Sequence, residues 1–326
     1  MKAIIYQTQT GLSYQEIENK RPKAGEVKIK LKSAGLNRRD LFVMNQQRSH
    51  ETFYTPGSDG AGIITELGEG VMDFELYDAV IINPSLDWDT AKNVPMTPRI
   101  LGGPSNGTFS EYIVIPSQNI IKKPVYLSWI EAGILSLSAL TAYRALFTKG
   151  QLQTGQHLLI PGIGSGVATY ALLFAKAIGA KVGVTSRDEE KLRKAGDLGA
   201  DYLLKTNSDW KTAIKKGNFD IILDSIGPAL FPKYIDVLKP DGNLVTFGAS
   251  SGDSVNLSLR SLFYPQLNIL GTSMGSKEEF EQMIQFITHH NIKPVLDSVY
   301  PLIKIEQALE RMKSGNQFGN VGLEME

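Results

Sequence analysis

The chain has 326 residues, 42% of them hydrophobic and 21% charged, which is typical of a soluble globular protein and long enough for two domains. The 34 Lys and Arg residues balance the 34 Asp and Glu residues, so no basic field indicates nucleic acid or an anionic membrane as a partner. There is no cysteine, which excludes disulfides, thiol catalysis and cysteine-ligated metals and suits a reducing cytoplasm.

Short strands dominate the first 122 residues. The N-terminal residues MKAIIYQTQTG turn polar too early for a signal peptide, and no apolar run approaches a membrane span, so we expect a cytoplasmic protein. The segment 26–36 alternates apolar residues with lysines, as a half-solvated strand does, and a helix is predicted at 37–44. Further strands are predicted at 1–6, 61–67, 78–82 and 109–115. Residues 83–107 show no period and are long enough to be a functional loop, with closure over a ligand left open.

Two helices lead to the centre of the chain. Ser128 and Glu131 form a capping box at the start of the first helix, and the second helix covers 139–147. Residues 157–187 then read as one βαβ unit. It has a strand at 157–160, a glycine loop, a helix from 167 to 178 and a second strand at 181–185.

The glycine loop predicts a dinucleotide site. Glycine permits the tight turn out of the strand and lets the backbone approach a pyrophosphate closely, while amides at the helix start bind the phosphates. The context of strand, loop and helix supports this interpretation over glycines that only make a tight turn. We therefore predict cofactor contacts from Gly162, Gly164, Ser165, Gly166 and Val167.

The residues after the second strand indicate which nucleotide binds. An NAD site usually has Asp or Glu about 20 residues past the first glycine, but here the chain reads Thr185-Ser186-Arg187-Asp188. Ser186, Arg187 and Lys191 form a donor cluster suited to a 2′-phosphate, and each charge-assisted hydrogen bond to it contributes about 1.5–3 kcal/mol. We therefore predict NADP as the cofactor. The alternative leaves the two cations solvated, with Asp188 as the ribose acid or only as an N-cap.

Strands and helices alternate after the glycine loop, which predicts a parallel sheet with right-handed crossovers. The predicted strands are 202–204, 219–223 and 243–247, with helices around 211 and at 228–238. The tail, with helices at 276–290 and 304–313 and a final short strand, loses this alternation. A domain change is therefore predicted near residue 271.

The sequence resembles the medium-chain dehydrogenase/reductase superfamily along nearly its whole length. The motifs that carry the resemblance are Gly35-Leu36-Asn37-Arg38-Arg39-Asp40, PGSDGAG at 56–62, Leu67-Gly68-Glu69-Gly70-Val71, Gly107-Thr108-Phe109 with Glu111-Tyr112, Leu140-Thr141-Ala142-Tyr143, the glycine loop, Leu198-Gly199-Ala200-Asp201, Asp224-Ser225-Ile226-Gly227, Phe247-Gly248 and Phe318-Gly319. The resemblance implies an α/β protein. A GroES-like β-rich catalytic domain, in segments 1–122 and 271–326, would flank a Rossmann dinucleotide-binding domain at 123–270.

The resemblance also bears on metal binding. The zinc alcohol dehydrogenases have a cysteine where this chain has Asn37, a His–Glu pair where it has Ser58 and Asp59, and a further Cys or His near Leu137. The four clustered cysteines of their structural zinc are also missing. One carboxylate cannot hold Zn²⁺, so we predict no metal site. The chain is most similar to the quinone oxidoreductase and enoyl reductase branches, which share the Asn at position 37 with an Asp three residues later, here Asp40.

A metal-free site favours conjugated acceptors. A Lewis-acid metal contributes several kcal/mol toward the alkoxide formed from a simple ketone, whereas quinones and α,β-unsaturated carbonyls spread the incoming charge. We predict an NADPH-dependent oxidoreductase that transfers hydride to such a small-molecule conjugated carbonyl, in an apolar cleft between the domains, with solvent as a proton source. Two alternatives stay open: an alcohol or aldehyde dehydrogenase of the same fold, and an NADPH-binding structural or redox-sensing protein with little turnover.

The resemblance implies roles for individual residues. Asn37 and Asp40 are expected near the nicotinamide ribose, or only as caps of the short helix, and Tyr54 as a donor to the substrate oxygen or as an exposed loop tyrosine. Around the cofactor the resemblance implies Thr141, Phe247, Ser250, Met274 and Gly275. Two positions depart from the family pattern, Thr206 in place of tyrosine and Asn320 in place of lysine. A homodimer is expected through edge strands of the Rossmann sheet, with 255–271 as the candidate segment or, alternatively, an internal strand.

Overall fold

The computed structural model describes residues 1–45, 53–214 and 218–325. Its strands are β1 (Lys2–Gln7), β2 (Gly11–Glu16), β3 (Glu26–Leu36), β4 (Phe53–Tyr54), β5 (Asp59–Leu67), β6 (Ala79–Ile82), β7 (Ser85–Leu86), β8 (Arg99–Ile100), β9 (Tyr112–Pro116), β10 (Ile120–Lys122), β11 (His157–Ile160), β12 (Lys181–Ser186), β13 (Tyr202–Lys205), β14 (Phe219–Asp224), β15 (Leu238–Thr246), β16 (Asn268–Gly271), β17 (Leu296–Pro301) and β18 (Asn320–Glu324). Its α-helices are α1 (Arg38–Asn45), α2 (Trp129–Gly133), α3 (Ser136–Tyr143), α4 (Gly166–Ala177), α5 (Glu189–Asp197), α6 (Trp210–Ala213), α7 (Phe231–Val237), α8 (Leu259–Phe263), α9 (Lys277–His289) and α10 (Ile305–Lys313). Among the residues covered, no helix has both the length and the apolar character needed to cross a bilayer.

The chain divides into two compact units. Unit 1 comprises Met1–Ser138 and Gly275–Glu326, and unit 2 comprises Ala139–Met274. The sequence places the domain boundaries at 122/123 and 270/271 instead. Residues 123–138 belong with unit 1 because α2 lies against β3, where the Ser33 hydroxyl donates to the carbonyl of Trp129 and a Cβ on Gly133 would overlap Ser33.

Unit 1 is built on a seven-stranded sheet with the order β10-β6-β5-β3-β18-β17, in which β9 also pairs with β3. Val27, Ile29 and Leu31 of β3 point into its core, as the alternating pattern predicts. Lys28 is not solvated as that pattern implies. It is 4% exposed because its ammonium pairs with Glu66 at 2.8 Å and lies over the Tyr112 ring.

Unit 2 is a six-stranded sheet with the order β13-β12-β11-β14-β15-β16, and every neighbouring pair is parallel. This confirms the parallel sheet predicted from the alternating elements. The strand order reverses between β11 and β14, and in open parallel sheets ligands bind outside the carboxyl ends of the strands at such a point. The sheet therefore places the loops after β11, β12, β14 and β15 around one candidate crevice.

Several elements differ from the sequence prediction. Strand β17 was not predicted, because its pattern, LDSVYP, alternates only weakly and it pairs with β18 at the edge of the sheet. The predicted helix 139–147 begins earlier, as α3, and ends in a π-helical turn at Arg144–Lys149. The predicted helix 228–238 is shorter, because Leu238 already begins β15. Within 255–271, residues 259–263 form α8 and residues 268–271 form the edge strand β16, so the interpretation as an internal strand is wrong.

Candidate functional site

Unit 1 contains a buried group of polar side chains, which we call the Asn37 cluster: Asn37, Asp40, Ser58, Asp59 and Ser138. The chain brings them together from the end of β3, the first turn of α1, the start of β5 and α3. All are at most 4% exposed. The Ser138 hydroxyl donates to the Asn37 side-chain oxygen at 3.0 Å, and the Asn37 Nδ2 donates to the Ser58 hydroxyl at 3.4 Å. These two bonds fix the orientation of the amide.

The two carboxyl groups of the cluster hold their protons unusually tightly. Asp40 accepts from the backbone N–H of Asn37 at 2.8 Å, and Asp59 accepts from the backbone N–H of Leu137 at 2.8 Å. Burial raises the pKa of each carboxyl from 3.8 to about 7, hydrogen bonds oppose this shift, and the Asp40 charge raises the pKa of Asp59 further. Within the described chain, the Oδ1 atom of Asp40 has no hydrogen-bond partner. Near neutral pH the two carboxyls are therefore partly protonated, whereas exposed aspartates are fully ionised.

The donor set of the cluster does not fit zinc. Structural and catalytic zinc sites take three or four thiolate, imidazole or carboxylate ligands. The corresponding side chains here are an amide, a hydroxyl and Asp59, whose carboxyl already accepts from Leu137 and from the Asn37 side chain. Across residues 1–45, 53–214 and 218–325, no three His, Cys, Asp or Glu side chains are grouped so that they could hold a metal ion.

Tyr54 lies close to this cluster in sequence but is not an exposed loop residue. It belongs to β4, which pairs with β1, and it is 1% exposed, with its ring centroid 5.5 Å from that of Tyr6. The interpretation as an exposed tyrosine is therefore wrong. A Cβ on Gly103 would lie 3.1 Å from the Tyr54 ring, so the end of the 83–107 stretch packs directly on it.

Arg39 fixes the same stretch to α1. Its guanidinium donates to the carbonyl of Leu101 at 3.2 Å, of Ile100 at 3.4 Å and of Gly103 at 2.9 Å. Such a fork of donors suits several carbonyls at once, which a lysine could not satisfy in one geometry. The sequence motif includes Arg39, but its role depends on contacts more than 60 residues away and was not predicted.

Close backbone packing and α9 complete the anchoring of the 83–107 stretch. A Cβ on Gly102 or on Gly107 would overlap the backbone of Gly57, so only glycine allows these segments to approach. At the other end, the first turn of α9 donates from Lys277 N to the carbonyl of Trp88 at 2.7 Å. The stretch is therefore held at both ends by unit 1.

The glycine loop of unit 2 has the geometry of a phosphate cradle. Gly162 has a φ of +69° and Gly164 a φ of +133°, the second of which is accessible only to glycine. Ser165 is the N-cap of α4 and accepts from Ala168 N at 3.2 Å. The first amides of α4, including Gly166 and Val167, have no intrahelical acceptor, and they carry the positive end of the helix dipole. The loop thus fits the pyrophosphate of a dinucleotide.

Thr185 ties this loop to the next strand. Its hydroxyl accepts from Gly162 N at 3.1 Å and its carbonyl accepts from Ile163 N at 2.8 Å. The N–H of Gly162 therefore already donates to Thr185, so the role of Gly162 is to shape the turn. Thr185 was not predicted as a site residue, although a hydroxyl at the carboxyl end of a buried strand is the signal that could have identified it.

The end of β12 presents the predicted donors for the nucleotide ribose. Asp188 is the N-cap of α5 and accepts from Glu190 N at 2.8 Å and from Lys191 N at 3.4 Å. The N-cap is one of the two roles that the sequence allows for this residue. The Ser186 hydroxyl accepts from Asp188 N at 3.0 Å. Arg187 is exposed, and no other residue that the structure describes pairs with it.

The remaining predicted cofactor residues lie at different places. Phe247 and Ser250 follow β15 and donate from their backbone N–H groups to the carbonyls of Asp224, at 2.9 Å, and Ser225, at 3.1 Å. Thr141 is buried in α3. Met274 and Gly275 lie where the chain passes from unit 2 to unit 1, and Met274 has a left-handed φ of 51°.

The fold and the glycine loop define a class of protein. A parallel sheet of this order, with a glycine loop after its central strand and a long helix behind it, is a Rossmann dinucleotide-binding unit. A separate unit accompanies it, with a sheet that is antiparallel except for the parallel pair of β17 and β18. This is the organisation of a dinucleotide-dependent oxidoreductase with its own catalytic domain.

Comparisons with known proteins identify the family. Residues 23–125 match the alcohol dehydrogenase GroES-like domain, and residues 166–289 match the family described as zinc-binding dehydrogenase. A zinc-type alcohol dehydrogenase-like protein of Schizosaccharomyces pombe is 35% identical over 317 residues, covering 93% of this chain and 91% of its own length. A crystal structure of an NAD-dependent alcohol dehydrogenase is 32% identical with a TM-score of 0.92, over 99% of both chains. A crotonyl-CoA carboxylase/reductase bound to NADP, 20% identical with a TM-score of 0.87 over 99% of this chain and 94% of its own, shares the fold.

The chain therefore belongs to the medium-chain dehydrogenase/reductase superfamily. This confirms the resemblance and the predicted α/β fold, with its GroES-like domain and its Rossmann domain. The protein is an oxidoreductase of that family, and the family uses a nicotinamide cofactor.

Proposed function

We propose that the protein is an NADPH-dependent, metal-independent reductase that transfers hydride to a quinone or an α,β-unsaturated carbonyl. The Asn37 cluster carries this proposal. Where zinc relatives would hold a metal, this chain has a hydrogen-bonded amide, hydroxyls and proton-holding carboxyls. Such a cluster offers hydrogen bonds but no strong Lewis acid, which limits the acceptors to those that spread negative charge by conjugation.

Bound NADPH supplies the hydride, and the protein's residues bind and orient the reactants. The glycine loop holds the pyrophosphate, and Phe247, Ser250, Met274, Gly275 and Thr141 border the cofactor. The C–H bond that breaks on the reduced nicotinamide would supply the hydride for a new C–H bond at the conjugated carbon, whose π electrons would move to the carbonyl oxygen, and solvent would supply the proton that completes the product. We assign Asn37, Asp40 and Tyr54 to the substrate side, where the fixed amide and the buried carboxyl define a boundary of constant shape.

The preference for NADPH rests on two features of the end of β12. Arg187 has no other described partner, so its guanidinium can pair with a 2′-phosphate, with Ser186 and Lys191 as neighbouring donors. Asp188 follows the end of β12, and its Oδ1 accepts from the first turn of α5, which orients this carboxyl as an N-cap rather than as the ribose acid of an NADH site.

Alcohol or aldehyde dehydrogenation is the second candidate function, because relatives and structural neighbours carry alcohol dehydrogenase names. In this chain it would require a hydrogen-bond donor in place of a metal to stabilise the alkoxide. A matched pair of acceptors separates the two functions: but-3-en-2-one and its saturated analogue butan-2-one. We expect the enone to be reduced at least about a hundredfold faster, corresponding to about 3 kcal/mol of barrier. Equal rates would favour the dehydrogenase.

We also propose that the protein works in the cytoplasm as a homodimer. Strand β16 is the edge of the unit 2 sheet, so its outer backbone groups have no strand partner within the described chain. The neighbouring Leu259, Phe263 and Tyr264 are 71%, 56% and 71% exposed. A second copy paired along β16 would satisfy the edge and cover these side chains. Light scattering should show that the Tyr264→Lys variant is a monomer. The control variant Tyr77→Lys, which alters an exposed tyrosine of unit 1, should remain a dimer. A monomeric wild-type protein would contradict the proposed dimer.

A further inference from the structure

Asp224 is the last residue of β14 and one of the most enclosed carboxyl groups of unit 2. It is 1% exposed, and a single oxygen, Oδ1, accepts three hydrogen bonds. The donors are the backbone N–H of Ile226 at 2.8 Å, the backbone N–H of Gly227 at 3.0 Å and the hydroxyl of Tyr234 at 2.9 Å. The carboxyl therefore folds the first residues after β14 back onto the end of the strand.

The loop that Asp224 shapes touches two parts of the cofactor cradle. A Cβ on Gly162 would lie 2.9 Å from the side chain of Ile226, so this loop packs directly against the glycine loop. On its other side, the carbonyl of Ile226 accepts from Ser251 N at 2.8 Å and from the Ser251 hydroxyl at 2.6 Å. Residues 225–227 thus connect the loops after β11 and β15 at the reversal point of the sheet.

Tyr234, on α7, supplies the third hydrogen bond to Asp224. Its side chain is fully buried, with its ring stacked on Trp210 at a centroid distance of 6.3 Å. Burial and the Asp224 carboxyl raise the pKa of the Tyr234 hydroxyl, so this group keeps its proton and remains a donor. In a buried setting, this hydrogen bond to the carboxyl is electrostatically stronger than it would be in water.

We propose that Asp224 and Tyr234 form a positioning pair that holds residues 225–227 in the shape that the nicotinamide cofactor binds. Neither side chain has to touch the cofactor. The pair acts by keeping the loop in its binding-competent form, because the apparent Kd rises in proportion to the loss of that population. This inference rests on the cofactor binding of the proposed function, but it does not depend on the acceptor or on the choice between NADPH and NADH.

The test compares Tyr234→Phe with a matched control, Tyr126→Phe. The first variant keeps the ring that stacks on Trp210 and removes only the hydroxyl. The control removes a partly buried hydroxyl from unit 1 that donates to the carbonyls of Ile287 and Ile292, both at 2.9 Å. Calorimetric titration with NADPH and NADH gives Kd for each protein, and thermal unfolding gives the change in stability.

We expect Tyr234→Phe to raise the Kd of both cofactors roughly tenfold, and Tyr126→Phe to leave it within about twofold of wild type. A cofactor Kd unchanged in folded Tyr234→Phe would overturn the inference. Should this variant not fold, Ser251→Ala removes the exposed hydroxyl that holds the same loop from its other side. Its Kd should also rise, and an unchanged value would overturn the inference. Wild-type protein that binds neither cofactor would instead refute the proposed function itself.

Discussion

Replacing Asp40 by asparagine should change how the stability of the protein depends on pH. Burial raises the pKa of Asp40 from 3.8 to about 7. The folded state thus binds a proton that the unfolded chain releases at lower pH. The stabilising contribution of the protonated group is complete below pH 3.8 and is lost as pH rises through about 7. Asparagine cannot ionise, so Asp40→Asn lacks this loss.

The size of the effect follows from the two pKa values. Over the whole range, about 3 pKa units correspond to about 4 kcal/mol, and between pH 5 and pH 8 wild type should lose about 2–3 kcal/mol relative to Asp40→Asn. The nearby Asp59 spreads this titration over both carboxyls, so the curve should be broader than that of a single group.

Urea unfolding at pH 5 and pH 8 measures this difference. Asp73→Asn, which neutralises an exposed carboxyl in a turn of the same unit, serves as the control, and its stability relative to wild type should be nearly the same at both values. If the difference in the free energy of unfolding between Asp40→Asn and wild type were the same at pH 5 and pH 8, Asp40 would not hold its proton in the folded state.

Two further substitutions test the cradle and the packing of the site. Arg187→Ala should raise the Kd of NADPH about 10–100-fold and leave the Kd of NADH unchanged. The control is Arg193→Ala, which should change neither Kd because the Arg193 guanidinium already pairs with acidic neighbours on α5. An equal rise in Kd for both cofactors in Arg187→Ala would contradict a 2′-phosphate role. Gly57→Ala places a Cβ into the Phe109 ring at a φ of +96° and should cost about 2–5 kcal/mol in urea unfolding. Gly70→Ala, at a φ of +82° in open space, should cost only about 1 kcal/mol, so similar values for the two would refute the packing argument.

Local sequence patterns predict much of the fold because many helices and strands form where the hydrophobic periodicity and the capping residues of their own segment favour them. The alternation in 26–36 predicts β3 with its observed bounds, and the capping box at Ser128 and Glu131 is present in α2. The burial of Lys28 escaped prediction because Glu66, which neutralises it, is 38 residues away. Strand β17 was not predicted because an edge strand needs little hydrophobic patterning.

In the candidate site, too, features formed by contiguous residues could be predicted, whereas features formed by residues distant in sequence could not. The glycine loop is contiguous in sequence, and its geometry follows from its residues. The Asn37 cluster is not contiguous: the bond from Ser138 to Asn37 spans 101 residues. The raised pKa of Asp40 arises from burial, which depends on the whole unit. For Asp188 the sequence allowed a ribose acid or an N-cap, and the N-cap became visible only through the bonds to the first turn of α5.

We propose that this protein transfers hydride from NADPH to a conjugated acceptor without a metal. The most direct test measures NADPH oxidation by a 1,4-quinone before and after exhaustive treatment with a chelator, together with the zinc content of the purified protein. We predict turnover at the same rate in both samples and no stoichiometric zinc. Loss of activity on chelation with recovery on addition of zinc would contradict this proposal, and so would the absence of NADPH oxidation by both quinones and enones.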